Sequence, residues 1–135
     1  MASRSPSAFS PETKELVLKR AQFRCERCGV GPANQAHHRT PRRAGGSGND
    51  RLGLPSNCVA LCSKCHDVIE SRRKTAAQMG FLVGYGSQPV ETPIYFWYGW
   101  VYLNDDGTVQ RLGHVPTITE RRVAPAVGGG DLDGS

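Results

Sequence analysis

The ten residues Asn57 to His66, NCVALCSKCH, put an asparagine, a Cys-x-x-Cys pair and a histidine into one short run. A second Cys-x-x-Cys pair, Cys25 and Cys28, lies upstream, and His37 and His38 fall between the two pairs. Four thiols in two such pairs are the signature of one tetrahedral zinc ion, because each pair clasps one edge of it. On this reading Cys25, Cys28, Cys62 and Cys65 are structural zinc ligands, and the three histidines are left over for other chemistry. A plain zinc ribbon has a shorter gap between its pairs. Here 33 residues separate Cys28 from Cys62, and they contain His37, His38 and Asn57, which a passive binder does not need.

Several elements must position these residues. Ser10-Pro11-Glu12 reads as a helix start, with a Ser cap, Pro at the first turn and a carboxylate near the positive end of the dipole. A helix is expected from about Pro11 to Phe23, packing a stripe of Leu16, Val17, Arg20 and Phe23 on the zinc module. Cys25 to Gly29 is a knuckle. Ala36 to Thr40 is a short strand that ends at Pro41, and the Gly-rich stretch Arg42 to Pro55 is irregular. Val59 to Leu61 supplies the second strand of a hairpin, and Cys62 to about Gln78 reads as one helix stopped by Gly80. Beyond it, Phe81 to Val83 and Pro93 to Leu103 are aromatic and β-branched, and Asn104 to Gly107 is a turn before Thr108 to Leu112. The organisation expected is a disordered leader over 1–8, the zinc-bearing domain over 9–80, a β-rich appendage over 81–112 and a flexible tail over 113–135. Cys58 reads as a small buried side chain, and His114 as ordinary surface.

At 135 residues, with 16 Gly and 9 Pro, the chain suits one small, loop-rich domain that needs a staple. No apolar run reaches membrane-spanning length and the N-terminus has no signal-peptide core, so a cytoplasmic protein with reduced thiols is expected. Charge is segregated. Residues 1–78 hold 14 Lys/Arg against 6 Asp/Glu, whereas 79–135 hold 3 against 6. A basic metal-bearing half fits a phosphate backbone as partner, and the acidic β-rich half assigns its aromatics to core or partner packing rather than to base stacking.

The order CxxC (Cys25, Cys28), HHRTPRRAGG (His37 to Gly46) and NCVALCSKCH resembles the HNH endonuclease family, of the ββα-metal type with a four-cysteine zinc site. The resemblance covers roughly residues 20–75, and the short chain with its β-rich extension is similar to small stand-alone bacteriophage HNH proteins. It implies an α+β fold, a zinc-stapled ββα-metal core with an N-terminal helix and a C-terminal β-hairpin. It further implies a metal-dependent endonuclease acting on double-stranded DNA; with no recognition helix or second DNA-reading module in view, weak sequence preference is expected. His38 matches the general base, Asn57 the residue that holds the hairpin and orients that base, and His66 and His37 the protein ligands of a catalytic divalent ion. Arg39, Arg42 and Arg43 stand where phosphates would be held. A ligand pair of two imidazoles carries no negative charge and suits Mn²⁺, Ni²⁺ or Zn²⁺ better than Mg²⁺. His37 and His38 are consecutive, so both reach one site only if the strand bends or ends there. The rival expectations are a non-catalytic zinc-ribbon binder of nucleic acid and an adaptor among phage packaging proteins. None of these readings involves a membrane.

Overall fold

The computed structural model describes residues 9–41 and 50–121. The expected leader, Arg42, Arg43 and the tail beyond Arg121 lie outside the described residues. Helix α1, Pro11–Ala21, starts as its sequence dictates: Thr13 donates its backbone N–H to the Ser10 hydroxyl at 3.1 Å, and Pro11 opens the first turn. It ends on Gln22 and Phe23, both left-handed (φ 56° and 64°). The inward face differs from the expected stripe. Thr13 and Val17 are buried, while Leu16 and Phe23 are exposed. Arg20 also turns inward, because Glu26 neutralises it through bonds of 2.7 and 2.8 Å and the carbonyls of Pro55 and Cys58 accept two more of its donors. Glu26 in turn accepts the Ala60 N–H at 2.9 Å, so one buried ion pair ties helix, knuckle and hairpin together.

Strands β1, Gln35–His38, and β2, Cys58–Leu61, form an antiparallel hairpin in regular register from Gln35↔Leu61 to His38↔Cys58. Side chains alternate across it. Cys58 and Ala60 pack with Phe9 and Val17 on the α1 side, while Val59 and Leu61 enter the main core with Cys25, Ile69, Phe96 and Val101. Burial pushes the Cys58 thiol up to about 12, so it is the inert apolar side chain its context suggests.

The expected single helix over 62–78 is two. Helix α2, Ser63–Ser71, and helix α3, Arg73–Gln78, are separated by Arg72, whose backbone (φ −130°, ψ 63°) leaves the helical basin. The aromatic and β-branched stretch 93–103 is a hairpin of β3, Ile94–Phe96, and β4, Gly99–Leu103. It turns at Trp97 and Tyr98, and Gly99 supplies a positive φ of 131° that a larger residue resists. Strand β5, Val109–Arg111, pairs with β4 after the Asn104–Gly107 turn. Phe81 to Val83 forms no strand, because its backbone groups are engaged elsewhere: Phe81 O accepts from His37, and Val83 N–H donates to Arg39 O. A short helix α4, Ile118–Arg121, lies where a flexible tail was expected. Ile94, Phe96, Val101 and Leu103 share one core with Cys25, Cys62, Cys65 and Ile69, so the β-rich segment packs into the zinc-bearing part rather than hanging from it. No helix among the described residues is long and apolar enough to cross a membrane.

Candidate metal centres

Two groups of ligand-type side chains flank the first turn of α2. Cys62 caps the helix, accepting the Cys65 N–H at its sulfur (3.4 Å). Cys65 and His66 follow one another in that turn and leave the axis about 100° apart, which lets each serve a different group.

In the first group, the sulfurs of Cys25, Cys28, Cys62 and Cys65 all lie within 4.8 Å of one another. Cys28 and Cys62 Sγ are 3.9 Å apart. A tetrahedron with zinc–sulfur bonds of ~2.3 Å has an edge of about 3.8 Å, so the donor set fits that ion. Each sulfur has a chaperone that favours thiolate. Cys28 N–H points to Cys25 at 3.4 Å, Gly31 N–H to Cys28 at 3.5 Å, and Arg27 Nη1 to Cys65 at 3.3 Å. Burial works to raise the Cys28 thiol, but the N–H groups of Gly31 and Val30 and the neighbouring thiols outweigh it and bring it down to about 6. Cys65, where burial dominates over Arg27, is pushed up to about 12 and ionises only beside a cation.

The second group is His37, His66 and Glu70, whose ligand atoms also lie within 4.8 Å. His37 and His66 meet edge to face with ring centres 5.6 Å apart, and Glu70 Oε2 lies 3.9 Å from His66 Nε2. His37 is 4% exposed, and its Nε2 lies 2.8 Å from the carbonyl of Phe81. A carbonyl only accepts, so Nε2 must carry the proton, and Nδ1 keeps the lone pair that a metal takes. Burial, with His66 adding to it, pulls the His37 pKa down to about 4 despite the Phe81 carbonyl, so the ring is neutral at physiological pH. A neutral imidazole of fixed tautomer, a second imidazole and a carboxylate fit a divalent cation. Glu70 was not singled out from the sequence. Its signal was there, since it stands one helical turn beyond His66. It also gives the group the negative charge that two imidazoles lack.

His38 is not part of this group. The strand stays regular through it, so its ring leaves the opposite face from His37 and stacks on Phe9 at 3.9 Å. The strand does not bend between the two histidines, but it ends at His38. Asn57 is fully buried; its Oδ1 accepts from Thr40 N–H at 2.7 Å, and its Nδ2 donates to the carbonyls of Thr40 and Leu52 at 3.1 and 2.9 Å. It pins the chain just beyond β1 to the chain leading into β2.

Arg39 cannot hold a phosphate. It is 0% exposed and donates to four carbonyls: Gly80, Ser56, Pro89 and Thr92, at 2.7 to 3.0 Å. Alternation sends it inward on the same side as His37, and the loops around it have carbonyls that no sheet ladder uses. Burial, with Arg20 nearby, lowers its pKa to about 9, which still leaves it charged at neutral pH. Arg42 and Arg43 lie outside the described residues. Among the described residues, Arg73 stands beside the second group, 2.9 Å from Glu70 Oε1.

These two groups, on a hairpin followed by a helix, lie within one continuous stretch that is comparable with known domains. Residues 25–72 match the HNH endonuclease family. The match spans less than half of the chain and takes in both thiol pairs, His37, His38, Asn57, His66 and Glu70. No curated protein and no solved structure matches. The HNH match supports a nuclease-type function and a nucleic-acid substrate, and HNH domains use divalent metals.

Proposed function

We propose that this protein is a metal-dependent endonuclease that hydrolyses phosphodiester bonds of double-stranded DNA. The observation that carries the reading is the convergence of His37, His66 and Glu70 within 4.8 Å, inside the HNH segment and next to the four thiols. His37 through Nδ1, His66 and Glu70 would hold the divalent cation, and the mixed nitrogen and oxygen donors suit Mn²⁺, Ni²⁺ or Zn²⁺ more than Mg²⁺. When bound, that cation supplies positive charge where it builds up on the phosphate and the leaving oxygen.

By the HNH resemblance we assign the general base to His38, which stands at the end of β1 with its ring on the face opposite His37. The water oxygen bonds to phosphorus as its proton passes to His38, the opposite P–O ester bond breaks, and the leaving alkoxide takes a proton from solvent. Asn57 acts by position, holding the end of β1 so that His38 keeps its place. The four thiolates hold a structural zinc that staples the hairpin to α2.

The test is nicking of supercoiled plasmid by zinc-loaded protein with each added divalent metal. Wild type should nick only with metal. His38→Ala should lose about 10²- to 10⁴-fold in rate with zinc content and melting temperature unchanged. A His38→Ala protein that nicks at the wild-type rate removes the base from His38. Wild type that binds DNA but fails to nick with any of the added metals would make the protein a zinc-ribbon binder.

A further inference from the structure

On the far side of the zinc knuckle, Trp97 lies over Gly29. A Cβ built on Gly29 would meet three atoms of the indole five-membered ring at 2.6 to 2.9 Å, so the ring covers that glycine face-on. Gly29 is also held at φ +75°, a left-handed conformation that favours glycine. The backbone bond from Trp97 N–H to Glu26 O (3.2 Å) and an edge-to-face contact with Tyr98 (5.2 Å) fix the indole further. Yet Trp97 remains 59% exposed. One face of a rigid aromatic ring is spent on the knuckle and the other is left to solvent.

The surroundings give that open face a chemistry. Trp97 borders a cleft of about 330 Å³ whose charged walls are Arg20, Arg24, Glu26 and Arg111. Arg20 and Glu26 cancel each other in their buried pair. Arg24 and Arg111 are exposed, and the Arg111 guanidinium is held 4.4 Å over the Tyr98 ring. The cleft therefore presents one stacking plane and two cations, with its one carboxylate already neutralised. Its local charge is opposite to that of the β-rich segment as a whole, and so it differs from the core or partner packing expected of these aromatics.

We propose that this cleft is a second nucleic-acid subsite, which takes an unstacked base on Trp97 and the adjoining phosphates on Arg24 and Arg111. A base inside a duplex has no open face to offer, so the ligand is a single-stranded segment, such as a frayed or displaced strand of the substrate. The chemistry stands on the cleft alone. Its use in guiding substrate rests on the nuclease reading.

The experiment is titration of zinc-loaded protein, without added divalent metal, with a short oligothymidylate, followed by tryptophan fluorescence and by anisotropy of a labelled oligonucleotide. Trp100 is buried, so quenching reports Trp97. Trp97→Ala should weaken binding about tenfold, whereas Trp97→Phe, which keeps a stacking plane, should retain most of it. Arg24→Ala and Arg111→Ala should each flatten the slope of log K against log salt by about 0.7. Because the Trp97 side chain is largely exposed, its variants should keep the wild-type melting temperature. Unquenched fluorescence, or equal affinity in Trp97→Ala, overturns the proposal and leaves the cleft to a protein partner. Since no turnover is measured, a protein that fails to nick plasmid but shows these effects would lose the nuclease reading and keep this one.

Discussion

Replacing His37 tests how the second ligand group is built, through the pH dependence of folding. The ring is 4% exposed, and burial holds its pKa at about 4 against an ordinary 6.5. The depressed value means that the folded state resists protonation while the unfolded chain accepts a proton near pH 6.5. Stability from the neutral ring is therefore fully present above about pH 6.5 and is lost as pH falls towards 4. Between pH 7 and pH 5 the loss works out at roughly 2 kcal/mol, and the limit below pH 4 is about 3 kcal/mol. Thiolate protonation at the four-cysteine group also destabilises the acid side, so the measurement must be a difference. Urea unfolding of wild type and His37→Gln at the two pH values shares every other titrating group. Wild type should lose roughly 2 kcal/mol more than the variant. Parallel losses in the two proteins would show that His37 titrates normally, and would refute the buried neutral ring bonded to Phe81.

Three further outcomes are expected. Arg39→Met should cost about 3 to 5 kcal/mol in urea unfolding, because four buried carbonyls lose their donor; a cost under about 1 kcal/mol would return Arg39 to the surface. Glu70→Gln should weaken Mn²⁺ binding, read by electron paramagnetic resonance, by at least about tenfold while zinc content stays at wild type; unchanged affinity removes Glu70 from the ligand set. Cys62→Ser should lose both the bound zinc and the cooperative melt, since structural zinc supplies folding energy; a variant that keeps both would disprove the four-thiolate site.

What could be read ahead of the structure was what depends on local spacing. Each C-x2-C pair and the cap at Ser10 announce themselves because their partners lie within one turn of each other, and the hairpin strands because their residue types and the proline and glycines that bound them are local signals. Arg39 was misjudged because an arginine beside a candidate base looks like a phosphate contact until tertiary packing supplies Gly80, Ser56, Pro89 and Thr92 around it. The α1 stripe held at Val17 and at Arg20, which Glu26, six residues on and across a turn, neutralises, and failed at Leu16 and Phe23, which stay exposed. Glu70 could have been found by carrying the ligand search one turn past His66. The Phe81 carbonyl could not, since backbone groups carry no sequence signature.

That carbonyl changes which part of the chain builds the second metal group. Alternation along residues 37–40 sends His37 and Arg39 to one side, and both meet the same short segment: Phe81 O takes His37 Nε2, and Gly80 O takes Arg39 Nε. Val83 closes the pairing, donating its N–H to Arg39 O and accepting from the Thr40 hydroxyl at 2.8 Å. Residues 80–83 thus run beside the end of β1 and hold it by four bonds, although they lie outside the stretch matched to the HNH family. The segment is itself anchored by Phe81 in the core with Phe96, and Arg39 reaches on to Thr92 just ahead of β3. The tautomer of His37, and with it the availability of Nδ1, is therefore set by the β-rich part of the chain. An HNH segment cut off before Gly80 would retain all seven ligand side chains, Cys25, Cys28, Cys62, Cys65, His37, His66 and Glu70, but would leave His37 without the carbonyl that orients it.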